Sequence, residues 1–419
     1  MIPINKTRTN YKKWADRLFC GLGLGAILFA IGTLLLLLFS IFFEGRYGFL
    51  RTDIKLEISL EQIPNPLSVE QANQINWRKF IYQELYKTFP EVTKRRDKKD
   101  LKKLISSGAG FILKDFVLEH HEPIGKTIHI DLPASSDVDL FIKHIDQQKK
   151  PSLELKTLNA KQIEWINTLK AQNKIITRFN WDFFTRGDSR LPELSGIRGG
   201  LIGSFWMLLI TFLLSFPIGV LAAIYLEEYA KPGRLRDFIE ININNLAAVP
   251  SIIFGLLGLA LFLNVFSLPR SAPITGALVL TLMTLPTIII AARASLKAVP
   301  TSIREAALGL GASHTQMVLH HLIPLAMPGT LTGTIIGMAQ ALGETAPLLM
   351  IGMVAFILEP SFSPDETSTA LPVQIFLWAD NPERGFREKT AAAIIVLLAF
   401  LILMNLAAVI LRKKTEHKW

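Results

Sequence analysis

The residues best suited to chemistry in this sequence lie in two segments of its C-terminal half. The first is a polar, Ala- and Gly-rich segment, residues 301–329, which contains Glu305 and separates two strongly apolar segments. The second contains Gln340 and Glu344, an amide and a carboxylate within an otherwise apolar stretch. A carboxylate in such a stretch avoids lipid, and it marks either a helix–helix contact or a path for a polar solute. The sequence gives these two interpretations of Glu344 equal weight.

The polar segment contains two capping signals for short helices. Ser302 and Glu305 have the spacing of a capping box, and Gly311 suits the left-handed residue that ends such a helix. Ser313 and Gln316 have the same capping-box spacing and predict a second helix. The segment is therefore predicted to form a compact helix-turn-helix knob, which a membrane protein exposes for docking.

Motifs for catalysis and for nucleotide binding are missing from the sequence. It contains no G-x-x-x-x-G-K-[ST] phosphate loop, no G-x-S-x-G and no H-E-x-x-H. The pairs His120–His121 and His320–His321 have no Cys, Asp or Glu at a recognised ligand spacing, and adjacent helical residues point about 100° apart. The sequence predicts no catalytic residue, no metal site and no cofactor on this chain. Any energy source must then lie on a partner chain.

Length and composition predict a membrane domain with a soluble insertion. The chain has 419 residues, of which 50% are hydrophobic and 19% charged, with a mean hydropathy of +0.35. Six apolar segments are long enough to cross about 30 Å of hydrocarbon at about 1.5 Å per residue. They are residues 18–43, 198–226, 238–266, 273–292, 329–358 and 390–411. The single Cys20 excludes an intrachain disulfide.

The distribution of Lys and Arg predicts the orientation of these spans. Basic residues cluster in the N-terminus, in the 227–237 loop and in the tail 412–419, whereas acids outnumber bases in the 359–389 loop. Basic segments next to spans remain in the cytoplasm. The two termini and the knob are therefore predicted to be cytoplasmic.

Residues 44–197 are predicted to form an extracytoplasmic α/β domain inserted after the first span. They include the alternating runs 54–58 and 128–132, and helical patterns near 69–88, 137–148 and 160–171. The basic run 94–103 has no interleaved aromatic residues, which favours a solvated helix face or contact with anionic headgroups over nucleic-acid binding. Four regions follow: residues 1–43 with the first span, the insertion 44–197, a five-helix core 198–411 containing the loop 301–328, and the tail 412–419.

The polar segment resembles the EAA loop of ABC importer permeases. The run EAALGLG from Glu305 to Gly311 is followed after nine residues by HLIP from His321 to Pro324. In that family the loop is a coupling helix that docks into a groove on a cytoplasmic ATPase. His321 and Ile323 depart from the family pattern, but its spacing is intact. The resemblance implies that ATPase coupling involves Ser302, Glu305, Ala306, Ala307, Gly311, Ser313 and Gln316.

A second resemblance narrows the family to phosphate-specific permeases of the PstA type. The runs GETAPLL from Gly343 and VPSIIFGL from Val249 carry it, and the similarity extends over about 198–411. It implies an all-α polytopic fold with six transmembrane helices, located in the bacterial inner membrane. The implied partners are an ABC ATPase dimer holding ATP and Mg, a second permease subunit and an extracytoplasmic phosphate-binding protein. Whether the permease pair is a heterodimer or a homodimer stays open, as does the role of residues 44–197.

The family resemblance places the substrate path near Gln340, Glu344 and Thr345. Many phosphate permeases read A-R-A-x-G-E-T-A-P, and Gln340 stands where their arginine does. An amide cannot replace the fixed fork of charged donors that an arginine offers an oxyanion. Arg293, at the cytoplasmic end of the fourth span, is a possible substitute, but it is also explained as a snorkelling residue that follows the positive-inside rule.

The sequence leaves two alternatives to phosphate import open. Within the transporter class, the anion could be sulfate or molybdate. From another class, the chain could be a membrane-anchored sensor or signalling scaffold. The EAA spacing argues against a sensor, because a signalling relay does not need an ATPase-docking knob.

Overall fold

A computed structural model describes residues 6–61, 69–120, 127–145 and 158–415. His121 and the predicted helical positions 146–148 lie outside the described residues. The N-terminal part contains α1 Lys6–Gly48, β1 Leu50–Ser59, α2 Val69–Gln74, α3 Trp77–Thr88, α4 Arg95–Lys102, α5 Ala109–His120, β2 Thr127–Pro133, α6 Ser136–Ile145, α7 Ala160–Ala171, β3 Ile175–Phe179 and α8 Asp182–Thr185. The C-terminal part contains α9 Arg198–Ile224, α10 Arg234–Ala247, α11 Ser251–Gly258, α12 Pro273–Lys297, α13 Thr301–Gly309, α14 His314–Met317, α15 Ile323–Gly343, α16 Ala346–Met350, α17 Leu371–Ala379 and α18 Gly385–Thr415.

Five of these helical segments are long and apolar enough to cross a membrane. They are Asp16–Gly48, Arg198–Tyr229, Pro273–Lys297, His314–Gly343 and Gly385–Ile410, of which the second and fourth include short π-helical turns. A bent helix pair brings the number to six if it forms one span. The all-α membrane part predicted from the sequence is therefore present.

The third predicted span, residues 238–266, is wrong as a single helix. α10 and the segment Ser251–Val265 are bent by 102° relative to each other. Pro250 explains the break, because a proline disfavours the helical conformation of the residue before it and has no N–H to donate. None of the α10 residues is buried within this chain.

The fifth predicted span, residues 329–358, is also shifted. α15 begins at Ile323 and ends at Gly343, and the chain leaves the helical conformation at Glu344. Glu344 therefore lies beyond the end of α15 and is not on the helix face that carries Gly337. Because Pro347 carries no backbone N–H, the following helix α16 starts anew at Ala346 rather than continuing α15.

Close helix packing in the membrane part depends on the glycines of α15. A Cβ added at Gly329 would lie 2.4 Å from Ser295 Oγ, and one added at Gly333 would lie 2.0 Å from the Ala291 Cβ. Both contacts are with α12, which runs antiparallel to α15. Glycines spaced four residues apart lie on one face of α15 and permit this close approach of a second helix.

The three strands form an antiparallel sheet in the order β2-β1-β3. Along β1, Ile54, Leu56 and Ile58 are buried in a core shared with Ile81 and Leu85 of α3. The predicted strands at 54–58 and 128–132 are confirmed as parts of β1 and β2. Since the strands are antiparallel, the arrangement of the described residues is α+β rather than the α/β fold expected from the sequence.

The sheet region and the membrane part meet at the start of α18. Lys143 of α6 is almost fully buried, and its Nζ lies 2.6 Å from Asp139 Oδ2 and 3.3 Å from Glu388 Oε2. A Cβ added at Gly48, the last residue of α1, would lie 2.3 Å from the Glu388 carbonyl oxygen. α1, α6 and α18 therefore share one tightly packed junction.

Candidate functional site

The polar segment 301–329 forms the predicted helix-turn-helix knob, but its second helix does not stop before Pro328 and instead continues through Pro324 and Pro328 into the membrane span. It contains α13, a turn and α14, and it then continues through a π-helical turn into α15. The first predicted capping box is wrong, because Pro300 occupies the N-cap and makes no side-chain capping bond. Pro300 has an extended backbone, so α13 begins at Thr301, and Ser302 falls inside the first turn instead of capping it.

The turn of the knob matches its sequence signals closely. Gly311 has φ +89°, its N–H donates to the Leu308 carbonyl at 3.0 Å, and the Ala312 N–H donates to the Ala307 carbonyl at 3.1 Å. This is a Schellman motif, which favours glycine at the left-handed position. The second capping box is confirmed, because Ser313 N–H donates to Gln316 Oε1 at 2.9 Å and Gln316 N–H donates to Ser313 Oγ at 3.3 Å.

The knob has an apolar base and an exposed tip. Ala307 is 5% exposed and packs in a cluster with Met317, Val318 and residues of α9 and α12. The other six residues of the predicted coupling set, Ser302, Glu305, Ala306, Gly311, Ser313 and Gln316, are exposed. Leu310, at the end of α13, is 90% exposed. An apolar residue this exposed at a rigid turn offers a contact for another protein, which the sequence prediction did not include.

Arg304 fastens the knob to two membrane helices. Its guanidinium donates to Glu228 Oε1 at 3.0 Å, just beyond the end of α9, and to the Leu296 and Val299 carbonyls at 3.0 and 3.3 Å at the end of α12. Side-chain exposure is only 22% for Arg304 and 8% for Glu228. The sequence prediction missed this joint, although the Glu227–Glu228 pair after an apolar span was an available signal.

A second ion-pair cluster lies beside this joint. Arg293 is 6% exposed, its Nε donates to Glu227 Oε1 at 2.5 Å, and its Nη2 lies 3.0 Å from Glu240 Oε2 of α10. The interpretation of Arg293 as a snorkelling residue is wrong, because two carboxylates hold it inside the protein. Arg293 therefore connects α12 to α9 and to the bent α10.

Glu344, Gln340 and Thr345 lie far from Arg293. Gly329 packs beside Ser295, close to Arg293, and Glu344 follows Gly329 by fifteen residues. At about 1.5 Å per residue this separation corresponds to roughly 22 Å along α15. The structure thus keeps Gln340, Glu344 and Thr345 together and separates Arg293 from them.

The break after α15 exposes polar groups at membrane depth. Gln340 and Gly343 are exposed and Glu344 is half-buried. α16 packs against α11, so that a Cβ added at Gly255 would lie 2.7 Å from Pro347 Cα. α11 follows the helix break at Pro250, and α16 follows the break at Glu344. Irregular backbone is tolerated within a membrane only where it faces protein or a water-filled path. Gln340 and Glu344 can therefore meet either a partner subunit or a polar solute.

The membrane part of the chain matches the model of a known protein family. Residues 197–417 match the binding-protein-dependent transport system inner membrane component. The chain belongs to this family. It is accordingly a permease subunit of an ABC importer and not an enzyme. Residues 6–152 match a domain of unknown function, DUF3333.

Curated relatives are similar to the membrane part of this permease. A probable ABC transporter permease, YqgI, of Bacillus subtilis is 32% identical over 56% of this chain and 83% of the relative. The phosphate transport system permease protein PstA of Haemophilus influenzae is 31% identical over 56% of this chain and 81% of the relative. The phosphate transport system permease protein PstA 1 of Mycobacterium tuberculosis (strain CDC 1551) is 32% identical over 55% of this chain and 75% of the relative. These relatives support the resemblance to PstA-type permeases.

Proposed function

We propose that this permease moves inorganic phosphate across the bacterial inner membrane and is driven by a separate ATPase that docks on the knob. The observation that carries the coupling role is the joint at Arg304, which links the exposed tip of the knob to α9 and α12 through three hydrogen bonds. A force on α13 is thereby applied to two membrane helices at once. Such a link is what transmission from a docked ATPase requires.

Coupling requires contacts that differ between two states of the transporter. ATP and Mg bound to the partner ATPase dimer would favour one arrangement of the two ATPase subunits, and the knob would follow the groove in which it sits. A docking contact of equal strength in both states would shift nothing. Glu305, Ala306 and Leu310 are the exposed residues of α13 and its C-cap that can make such state-dependent contacts.

The proposed topology places the knob and both termini in the cytoplasm. The sheet region within 44–197 then lies outside the cytoplasm, at the opposite end of α9 and α18 from the knob. A binding protein on that side would deliver the anion, and a second permease subunit would complete the path along the open surface of Gln340 and Glu344. The family relationship supports these partners.

Phosphate is the proposed substrate because PstA proteins are among the relatives. Sulfate or molybdate is the second candidate, since Gln340 offers an oxyanion an amide where many phosphate permeases offer an arginine. Competition for ATP-dependent uptake by the reconstituted importer decides between them. Labelled phosphate uptake should be abolished by excess unlabelled phosphate and persist in excess sulfate or molybdate. If excess phosphate left uptake of another oxyanion unchanged, the substrate proposal would fail while the permease assignment would stand.

A further inference from the structure

The sheet has a polar face opposite its apolar core. Along β1, Arg51, Asp53, Lys55 and Glu57 alternate with the buried residues of the core face. Residues directly opposite in an antiparallel pair share a face, which places Lys174 beside Lys55 and Arg178 beside Arg51. Lys55 N–H donates to the Lys174 carbonyl at 2.7 Å. One face of the sheet therefore carries four basic side chains, together with the acids Asp53, Glu57 and Asp131, of which Asp131 lies opposite Lys55.

The arginines of this face take part in a ladder of ion pairs. Arg51 Nε lies 2.8 Å from Asp53 Oδ1, and a second guanidinium nitrogen of Arg51 contacts Asp182 of α8. Arg178 also contacts Asp53, and Arg186 Nε lies 3.1 Å from Asp182 Oδ2. These pairs hold the sheet to the segment that leads into α9, which is a structural role.

The two lysines are not part of this ladder. Within the described part of the chain, no carboxylate lies within ion-pair distance of either ammonium group, and the contact of Lys174 Nζ is with Thr88 Oγ1 at 3.5 Å. Lys55 is exposed and Lys174 is half-buried. Both line an open cavity of about 810 Å³, together with Arg178, which is 45% exposed in its side chain.

We propose that this cavity binds a phosphate group through Lys55, Lys174 and the exposed part of Arg178. Five Arg and Lys residues and three acids line the cavity, and Asp53 pairs with two of these arginines, which leaves an excess of one positive charge. A concave surface with excess positive charge raises the local concentration of anions. Arg178 follows Lys174 by four residues on the same face, or roughly 13 Å along the strand, with Ile176 between them. Their long side chains can converge above Ile176 on a tetrahedral anion.

The phosphate group can come from free phosphate or from a lipid headgroup. The first source rests on the proposed function, since an anion held at the sheet would be retained near the entrance of the path. The second source is favoured by position, because Phe179 and Trp181 adjoin Arg178 and are 43% and 70% exposed, as aromatic residues at a membrane interface are. The chemistry of recognition is the same for both.

The test compares two charge-matched double variants of the full-length protein. Lys55→Gln/Lys174→Gln removes the lysines and leaves the arginine ladder intact. Lys79→Gln/Lys161→Gln removes the same charge from exposed positions of α3 and α7, outside both the cavity lining and the basic run 94–103. Binding of labelled inorganic phosphate is measured by equilibrium dialysis in lipid-free micelles, and bound phosphatidylglycerol is measured by mass spectrometry after purification from mixed-lipid nanodiscs.

We expect one saturable phosphate site per chain, or one retained phosphatidylglycerol. Either should be weakened by roughly tenfold or more in Lys55→Gln/Lys174→Gln and unchanged in Lys79→Gln/Lys161→Gln, since hydrogen bonds to charged groups are strong. If Lys55→Gln/Lys174→Gln loses the binding of free phosphate, the natural ligand is the soluble anion. If it loses only the retained phosphatidylglycerol, the natural ligand is the lipid headgroup. Equal binding of both ligands by both variants and the original protein overturns the proposal. Uptake by the reconstituted importer is scored separately, so that binding without phosphate uptake refutes only the proposed function.

Discussion

Replacing Arg304 by methionine should uncouple ATP hydrolysis from transport. Methionine is about as long as the aliphatic stem of arginine and retains its apolar contacts, but it removes all three hydrogen bonds of the joint. α13 would then lose its polar contact with Glu228, although Ala307 would still anchor it in the apolar base. We therefore expect the knob to remain folded and able to dock.

The size of this effect follows from the geometry of the pair. A hydrogen bond to a charged group contributes about 1.5–3 kcal/mol. Because the Arg304 side chain is 22% exposed, solvent screening places the Glu228 contact near the lower end of that range. A loss of about 1.5 kcal/mol corresponds to roughly a tenfold change in the balance between the attached and the detached positions of α13. Uptake per ATP hydrolysed should fall by a comparable factor.

The assay is the ratio of phosphate uptake to ATP hydrolysis in proteoliposomes that contain the complete importer. Arg234→Met is the matched control, because Arg234 is an exposed residue at the start of α10. Glu228→Gln should lower the ratio less than Arg304→Met does, because the two backbone carbonyl contacts of Arg304 remain, and the double variant should be no worse than Arg304→Met alone. An unchanged ratio in Arg304→Met, or fully additive losses in the double variant, would refute the role of the joint.

Three further predictions concern the tip of the knob, the helix break after α15, and the buried Glu193 in the short segment Pro192–Leu194 between α8 and α9. Leu310→Asp should abolish co-purification of the ATPase while membrane insertion stays normal, and retention of the ATPase would contradict docking at the tip. Glu344→Gln should reduce uptake at least tenfold if the carboxylate lies on the path and leave it unchanged if it only holds helices together; uptake and co-purification of the second permease are measured in parallel. Burial raises the pKa of Glu193 to about 7, so the folded state holds this proton more tightly than the unfolded state does, and the stabilisation is lost as pH rises from about 4.5 to about 7. The melting temperature of the protein in micelles should therefore fall as the pH rises over that range, and it should fall less in Glu193→Gln. If the melting temperature changed with pH equally in both proteins, Glu193 would be excluded as the cause.

Local sequence signals were reliable where the structure depends on neighbouring residues. Gly311 and the box of Ser313 with Gln316 form as predicted, because their bonds join residues only a few positions apart. The box of Ser302 with Glu305 failed for a local reason as well, since Pro300 supplies the extended residue from which α13 starts. Hydrophobic length located the membrane part but did not reveal the breaks at Pro250 and Glu344, because apolar composition alone does not define a straight helix.

The sequence by itself determined that this is a polytopic membrane protein with a loop that resembles the EAA loop, because span length and motif spacing are local properties of the chain. Only the tertiary structure determined which charged residues form ion pairs. Arg304 and Glu228 are 76 positions apart, and Arg293 and Glu227 are 66 positions apart, so no pattern along the chain predicts their pairing. The same holds for Lys55 and Lys174, which the register of the sheet makes neighbours. These residues form the Arg304 joint and the basic cavity only because the folded chain brings distant positions into contact.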